Sequence, residues 1–272
     1  MSGTGTGSRW SDLRLRVLSA AILAPLALGC IWAGGLAFAA LVLLVSVALA
    51  YEWLALCRVR IGVLSVAVFF AVPAAVVATA GDAALAALSI LAVGFAAALL
   101  LRDRLGGAWQ AGFGVPYLGL ACIALQWLRA DPVSGRAVVI VLLLIVWASD
   151  IGAYVVGRAV GGRKLAPAIS PGKTISGAIG GLVAGMAVGA VASAAAGSGA
   201  PLIGALWAGL IAAVSQIGDL FESYLKRLFG VKDSGRLIPG HGGVLDRLDA
   251  LIVAAPFSAL LALVIGRGVV IW

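Results

Sequence analysis

In the run SQIGDLFESYLKRLFGVKDSG, the polar residues Asp219, Glu222, Ser223, Lys226 and Arg227 recur three and four residues apart, so on a helix they occupy neighbouring positions. The run continues an apolar stretch. A carboxylate left at the end of such a stretch is costly unless paired, which makes Asp219 a functional candidate, with an internal ion pair to Lys226 or Arg227 as the alternative. LIPGHGGVLDRLDAL follows, and Pro239, Gly240, Gly242 and Gly243 flank His241 in a turn whose backbone N–H groups can approach an anion closely. Asp246 and Asp249 then stand at i and i+3 with Arg247 between them, 27 residues beyond Asp219. Such carboxylates form an oxygen-rich site of the kind Mg²⁺ takes when substrate phosphates supply the remaining ligands. A charged helix start favouring the positive end of the dipole is the plainer alternative. Lys226, Arg227, Lys232, Arg236 and Arg247 lie nearby, and acids for metal together with bases for phosphate are what phosphoryl transfer needs.

A second polar stretch reads SDIGAYVVGRAVGGRKLAPAISPGKTISG. Gly172-Lys173-Thr174 imitates the end of a phosphate-binding loop, but the required first glycine falls on Pro167, so no such loop is present. What remains is a flexible loop with Lys164, Ser170, Lys173 and Thr174. It suits phosphate binding or simple anchoring by positive charge. Asp150 and Tyr154, one helical turn apart, place an acid at the end of an apolar helix, where it should face a polar cavity. Glu52 carries the same cost with no partner in its own segment, and its sequence context assigns it no role.

The elements that must position these residues are membrane helices. Of 272 residues, 63% are hydrophobic and 11% charged, which excludes a soluble globule and a disordered chain. At about 20 apolar residues per crossing, nine spans are predicted: 17–34, 36–56, 61–80, 83–101, 108–128, 137–157, 175–197, 201–222 and 250–268. The fold expected is an all-α polytopic bundle with a cytoplasmic N-terminus. Residues 1–136 hold about five helices, and residues 137–272 form a catalytic region with cytoplasmic loops 158–174 and 223–249. The run from Val17 is a first membrane helix and not a signal peptide, since no small-residue cleavage site follows it. Of the 19 basic residues this topology leaves only Arg129, Arg136 and Arg267 outside, so the net charge of +8 follows the positive-inside rule and nucleic acid is excluded as the partner. Trp10, Trp32, Trp53, Trp109, Trp127 and Trp272 fall near span ends as an interfacial belt or as ordinary packing. Gly177, Gly181, Gly185 and Gly189 form a four-residue stripe for close helix packing. Cys30, Cys57 and Cys122 share no short metal-ligand spacing and are taken as packing residues.

The string from Ser223 to Asp249, S-Y-L-K-R-L-F-G-V-K-D-S-G-R-L-I-P-G-H-G-G-V-L-D-R-L-D, closely resembles the signature of the phosphatidate cytidylyltransferases, the CDP-diacylglycerol synthases. D-I-G-A-Y-V-V-G-R from Asp150 and S-P-G-K-T-I-S-G from Ser170 resemble two upstream motifs of that family, so the likeness is strong over residues 145–260. Where the family commonly has S-P-K-K-T this chain has Gly172, one base fewer, with Lys173 retained. The resemblance implies CTP + phosphatidate giving CDP-diacylglycerol + pyrophosphate, with Mg²⁺ at the site and a homodimer. The positive-inside topology places the active face in the cytoplasm, and the lack of a transit peptide favours a bacterial plasma membrane. By the same resemblance Asp219 and Asp246 would hold the metal with Asp249 as a third ligand or a supporting group, and Lys226 would act in catalysis. Lys173, Arg227, Lys232 and Arg247 would bind phosphate, with Ser223, Gly242, Gly243, Asp150 and Tyr154 lining the substrate. His241 would orient phosphate or brace its turn, because an anionic phosphatidate needs no strong base. Two competitors are a CTP-dependent lipid kinase of the dolichol or phytol kinase type and a secondary transporter. The extended signature disfavours the first, and acids gathered at one edge of the C-terminal half disfavour the second.

Overall fold

A computed structural model describes residues 6–105 and 109–265. Arg267 and Trp272, the start of the fifth predicted span and the side chains of Arg9, Trp10, Arg14 and Arg16 lie outside the described residues. The apolar runs are helical because only internal hydrogen bonding satisfies a backbone in hydrocarbon. In chain order they are α1 (Thr6–Ala33), α2 (Gly35–Leu56), α3 (Val63–Phe69), α4 (Ala71–Ala80), α5 (Ala84–Leu100), α6 (Trp109–Arg129), α7 (Gly135–Val160), α8 (Ile175–Ala195), α9 (Pro201–Leu228) and α10 (Leu245–Ile265). Among the described residues seven helical segments are long and apolar enough to cross a membrane, counting α3 and α4 as one, and Val17–Ala33 and Ala84–Leu100 are shorter apolar helices. The chain is an all-α integral membrane protein, and each of the nine predicted spans has a helical counterpart. The third is divided at Phe70 because Pro73 lacks an N–H and its ring crowds the carbonyl four residues before it.

Two packing styles share the bundle. α6 lies at its centre, with 67% of its span buried, and packs against α2, α4, α5 and α10. Large side chains of its neighbours pack over its glycines: Leu91 lies against Gly119, and Trp53 of α2, over Gly114, is fully buried and donates its indole N–H to the carbonyls of Gln110 and Ala111 at 3.2 Å each. Trp53 is therefore core and not belt, whereas Trp32 and Trp109 are exposed. The Trp53 ring stands 5.4 Å from Tyr117, which stacks on Phe113 at 5.5 Å, and both meet Phe221 of α9 edge-on. The other style joins α7, α8 and α9 through the glycine stripe, which is buried as expected. A Cβ at Gly177 would meet the Ala153 carbonyl at 2.7 Å, at Gly181 the Ser149 carbonyl at 2.6 Å, and at Gly185 the Ala212 methyl at 2.6 Å. α10 packs against both α6 and α9.

The stretch 158–174 is not the flexible loop expected. Lys164–Ala166 (β1) and Ser170–Thr174 (β2) pair antiparallel, Lys164 opposite Thr174 and Ala166 opposite Ser170. Pro171 is tolerated because a two-stranded ribbon leaves every strand one unpaired edge. The stretch 223–249 is shorter as a loop than expected, since α9 continues through Leu228 and α10 starts at Leu245. Cys57 and Cys122 are buried and Cys30 half-buried, and all three are free thiols. Burial pushes the Cys57 thiol up to about 12, which fits a packing residue.

Candidate active site

The end of α9 carries one polar stripe on an otherwise apolar helix, and its last turn places Lys226 and Arg227 at the negative end of the dipole. Glu222 is fully buried and accepts from Lys226 Nζ at 3.2 Å, one turn on. The same ammonium donates to Asp246 Oδ1 at 2.8 Å, so Lys226 bridges two carboxylates from two helices. Asp246 is engaged further: its oxygens accept from the backbone N–H of Ser234 at 2.9 Å and of Gly243 at 3.1 Å. A carboxylate in the first turn of α10 thereby fastens both ends of the glycine-rich loop. Asp249 lies close enough to Asp219 and Glu222 for their charges to interact.

A second group faces a cavity of about 500 Å³ between α7, the hairpin, α8 and α9. Asp150, Tyr154, Lys173, Gln216 and Asp219 line it. Lys173 Nζ and an Asp219 oxygen are 2.5 Å apart, joining the hairpin to α9. Asp219, Asp249 and Lys173 all act electrostatically on Asp150, which ties this group to the first. Thr174, at the hairpin's end, also lines the cavity, and its hydroxyl accepts from the Gly177 N–H at 3.0 Å and caps α8. The cavity abuts the outer face of α7, where Ile151, Tyr154 and Val155 are exposed.

The remaining predicted residues lie in and around the glycine-rich turn and the end of α9. The Gly242 N–H is given to the Ile238 carbonyl and the Gly243 N–H to Asp246, so the turn is closed on itself and is not an open anion nest. The positive φ of Gly240 and Gly242 is what allows so tight a closure. His241 Nδ1 shares a 2.8 Å hydrogen bond with Ser19 of α1, and its carbonyl accepts from Arg247 Nε at 3.0 Å. Arg247 thus braces the turn. Arg227 donates to the carbonyls of Ile169 and Val231 at 3.3 Å each, linking the hairpin to the loop. Ser223 is half-buried on α9, and Lys232 and Arg236 are exposed on the loop. Two residues without an assigned role prove to be in the cluster, Glu222 and Glu52. Glu222 shares the stripe of Asp219 and Lys226, a signal that was in the sequence. Glu52 reaches across 193 residues to accept from the Leu245 N–H at 2.8 Å, which no local pattern announces.

Among the described residues no three His, Cys, Asp or Glu side chains gather closely enough to hold a metal by themselves. Asp246, expected to be a ligand, has its oxygens taken up by Lys226, Ser234 and Gly243. Asp219 and Asp249 remain, and two carboxylates completed by phosphate oxygens and water are the donor set that suits Mg²⁺.

The sequence model of the Cytidylyltransferase family matches residues 14–265. A Pseudomonas aeruginosa protein named phosphatidate cytidylyltransferase is 43% identical over 263 residues, 92% of this chain and 97% of its own. One of the same name from Brucella suis is 40% identical over 251 residues, 90% of this chain and 91% of its own. A membrane bundle whose acids and lysines converge on one cavity edge, matched over nearly all its length, belongs to the cytidylyltransferase family.

Proposed function

We propose that this chain transfers the cytidylyl group of CTP to phosphatidate, giving CDP-diacylglycerol and pyrophosphate, with its active face toward the cytoplasm of a bacterial plasma membrane. The observation that carries the reading is the cavity lined by Asp150, Lys173 and Asp219, which abuts the exposed apolar face of α7. A nucleotide can approach such a cavity from water, and an acylated phosphate can reach it with its chains still in the bilayer.

An oxygen of the phosphatidate phosphate attacks the α-phosphorus of CTP. The new P–O bond forms as the bond from the α-phosphorus to the bridging oxygen breaks, and pyrophosphate leaves with that electron pair. The attacking oxygen is already anionic, so no proton has to be removed. Lys173 exchanges its contact with Asp219 for phosphate oxygens. Lys226, fixed between Glu222 and Asp246, supplies its charge without having to reorganise, which is the favourable arrangement for charge that develops in a transition state. Asp219 and Asp249 would hold Mg²⁺. When bound, that ion offsets negative charge on the transferring and leaving phosphates.

The test is phosphatidate-dependent release of pyrophosphate from CTP by the purified protein in detergent. Label on the α-phosphate should appear in lipid and label on the γ-phosphate in pyrophosphate. Transfer of γ-label to lipid would make the chain a lipid kinase instead. No release from folded protein would turn attention to transport. A homodimer belongs to the same proposal, and light scattering in detergent should give twice the chain mass.

A further inference from the structure

Glu52 is a carboxyl side chain, 1% exposed, near the C-terminal end of an otherwise apolar helix of the N-terminal region. Its Oε2 accepts from the N–H of Leu245, the first residue of α10. Its other oxygen, Oε1, lies against Gly235 and has no hydrogen-bond partner among the described residues. A Cβ on Gly243 would meet Glu52 Oε2 at 2.7 Å, and one on Gly235 would meet Oε1, so the carboxylate sits between the two strands of the loop where only glycine leaves room. The neighbouring N–H groups of Ser234 and Gly243 go to Asp246. Two carboxylates thus divide the loop's amides, Glu52 from α2 and Asp246 from α10. The adjacent Trp53 locks α2 through its two indole hydrogen bonds, and Arg58 just past α2 donates to the Phe229 carbonyl at 3.0 Å, where the loop leaves α9.

We infer that Glu52 is a positioning residue of the site: by holding Leu245 and the Gly235–Gly243 approach, it keeps Asp246 aimed at Lys226. The inference rests on the proposed cytidylyl transfer for its kinetic consequence but not for its structural one. Glu52→Ala and Glu52→Asp should lower kcat/KM by about 10- to 100-fold, the usual cost of losing a group that orients another. The loss should fall on kcat, with the KM for CTP moved by less than about threefold, because Lys226 acts on the transferring phosphate. Glu52→Gln keeps a carbonyl acceptor at the same reach and should recover most of the activity. The double variant E52A/D246N should be no slower than D246N alone, since both act through Lys226.

Amide exchange supplies a readout independent of turnover: E52A should speed exchange across residues 234–245 and leave residues 130–134 unchanged. If the wild-type protein releases no pyrophosphate, the proposed function falls and this exchange difference alone decides the role of Glu52. Wild-type kcat/KM in E52A, fully additive losses in the double variant, or unchanged exchange would each overturn the inference. Should E52A fail to fold, E52D against E52Q decides it, and equal kcat/KM values for the two would count against positioning.

Discussion

The site contains two lysines in contact with carboxylates, and the two differ in burial. Lys226 is 14% exposed and its partners Glu222 and Asp246 are 0% and 8% exposed. Lys173 and Asp219 are 29% and 28% exposed beside a cavity. A buried ion pair is costly to break once formed, and Lys226 is held between two carboxylates, of which Asp246 is also tied to two backbone amides while one oxygen of Glu222 has no hydrogen-bond partner among the described residues. A half-open pair gains little from its contact and gives it up easily to a competing anion. The first is a fixed fixture and the second a latch that substrate can open.

Breaking the fixture should have the largest effect. Lys226→Met strands two buried carboxylates, so stability should fall by about 3 kcal/mol or more, and pyrophosphate release should be lost with it. Thermal unfolding in detergent checks the first part, and an unchanged midpoint would erase the contrast. Asp219→Asn should separate the two properties: turnover falls about 100-fold at limiting Mg²⁺ while stability changes by less than about 1 kcal/mol. Near-normal turnover there would remove Asp219 from the metal's ligands. Lys173→Ala is the mildest, with kcat/KM down about tenfold, the worth of one charge-assisted hydrogen bond, and an unaltered unfolding midpoint. A larger loss than in Asp219→Asn would mean that Lys173 is as fixed as Lys226.

The stripe on α9 was legible because Asp219, Glu222 and Lys226 lie on one helix, where three- and four-residue spacing is contact. Glycine spacing on α8 was legible for the same reason, and its packing against α7 and α9 follows from it. The hairpin is not legible in the sequence because its strands are short and Pro171 lies within one of them, although a ribbon with free edges accommodates it. Gly242 and Gly243 were correctly placed in a tight turn, but which acceptor takes their N–H groups depends on where α10 begins and on the direction of the Asp246 side chain. Trp53 sits at a span end as a belt residue would, and only the approach of α6 makes it core.

By itself the sequence determined the membrane-embedded helices, because about twenty apolar residues in a row admit no other stable backbone in lipid. It also determined where the few polar residues collect, and the motifs that carry the family likeness. The tertiary structure alone decided the partners: Lys173 with Asp219, Lys226 between Glu222 and Asp246, and Glu52 at the start of α10. Periodicity fixes which residues share a helix face, whereas pairing between helices depends on their rotation and approach, and those are set by small-residue packing contacts far from the charges themselves.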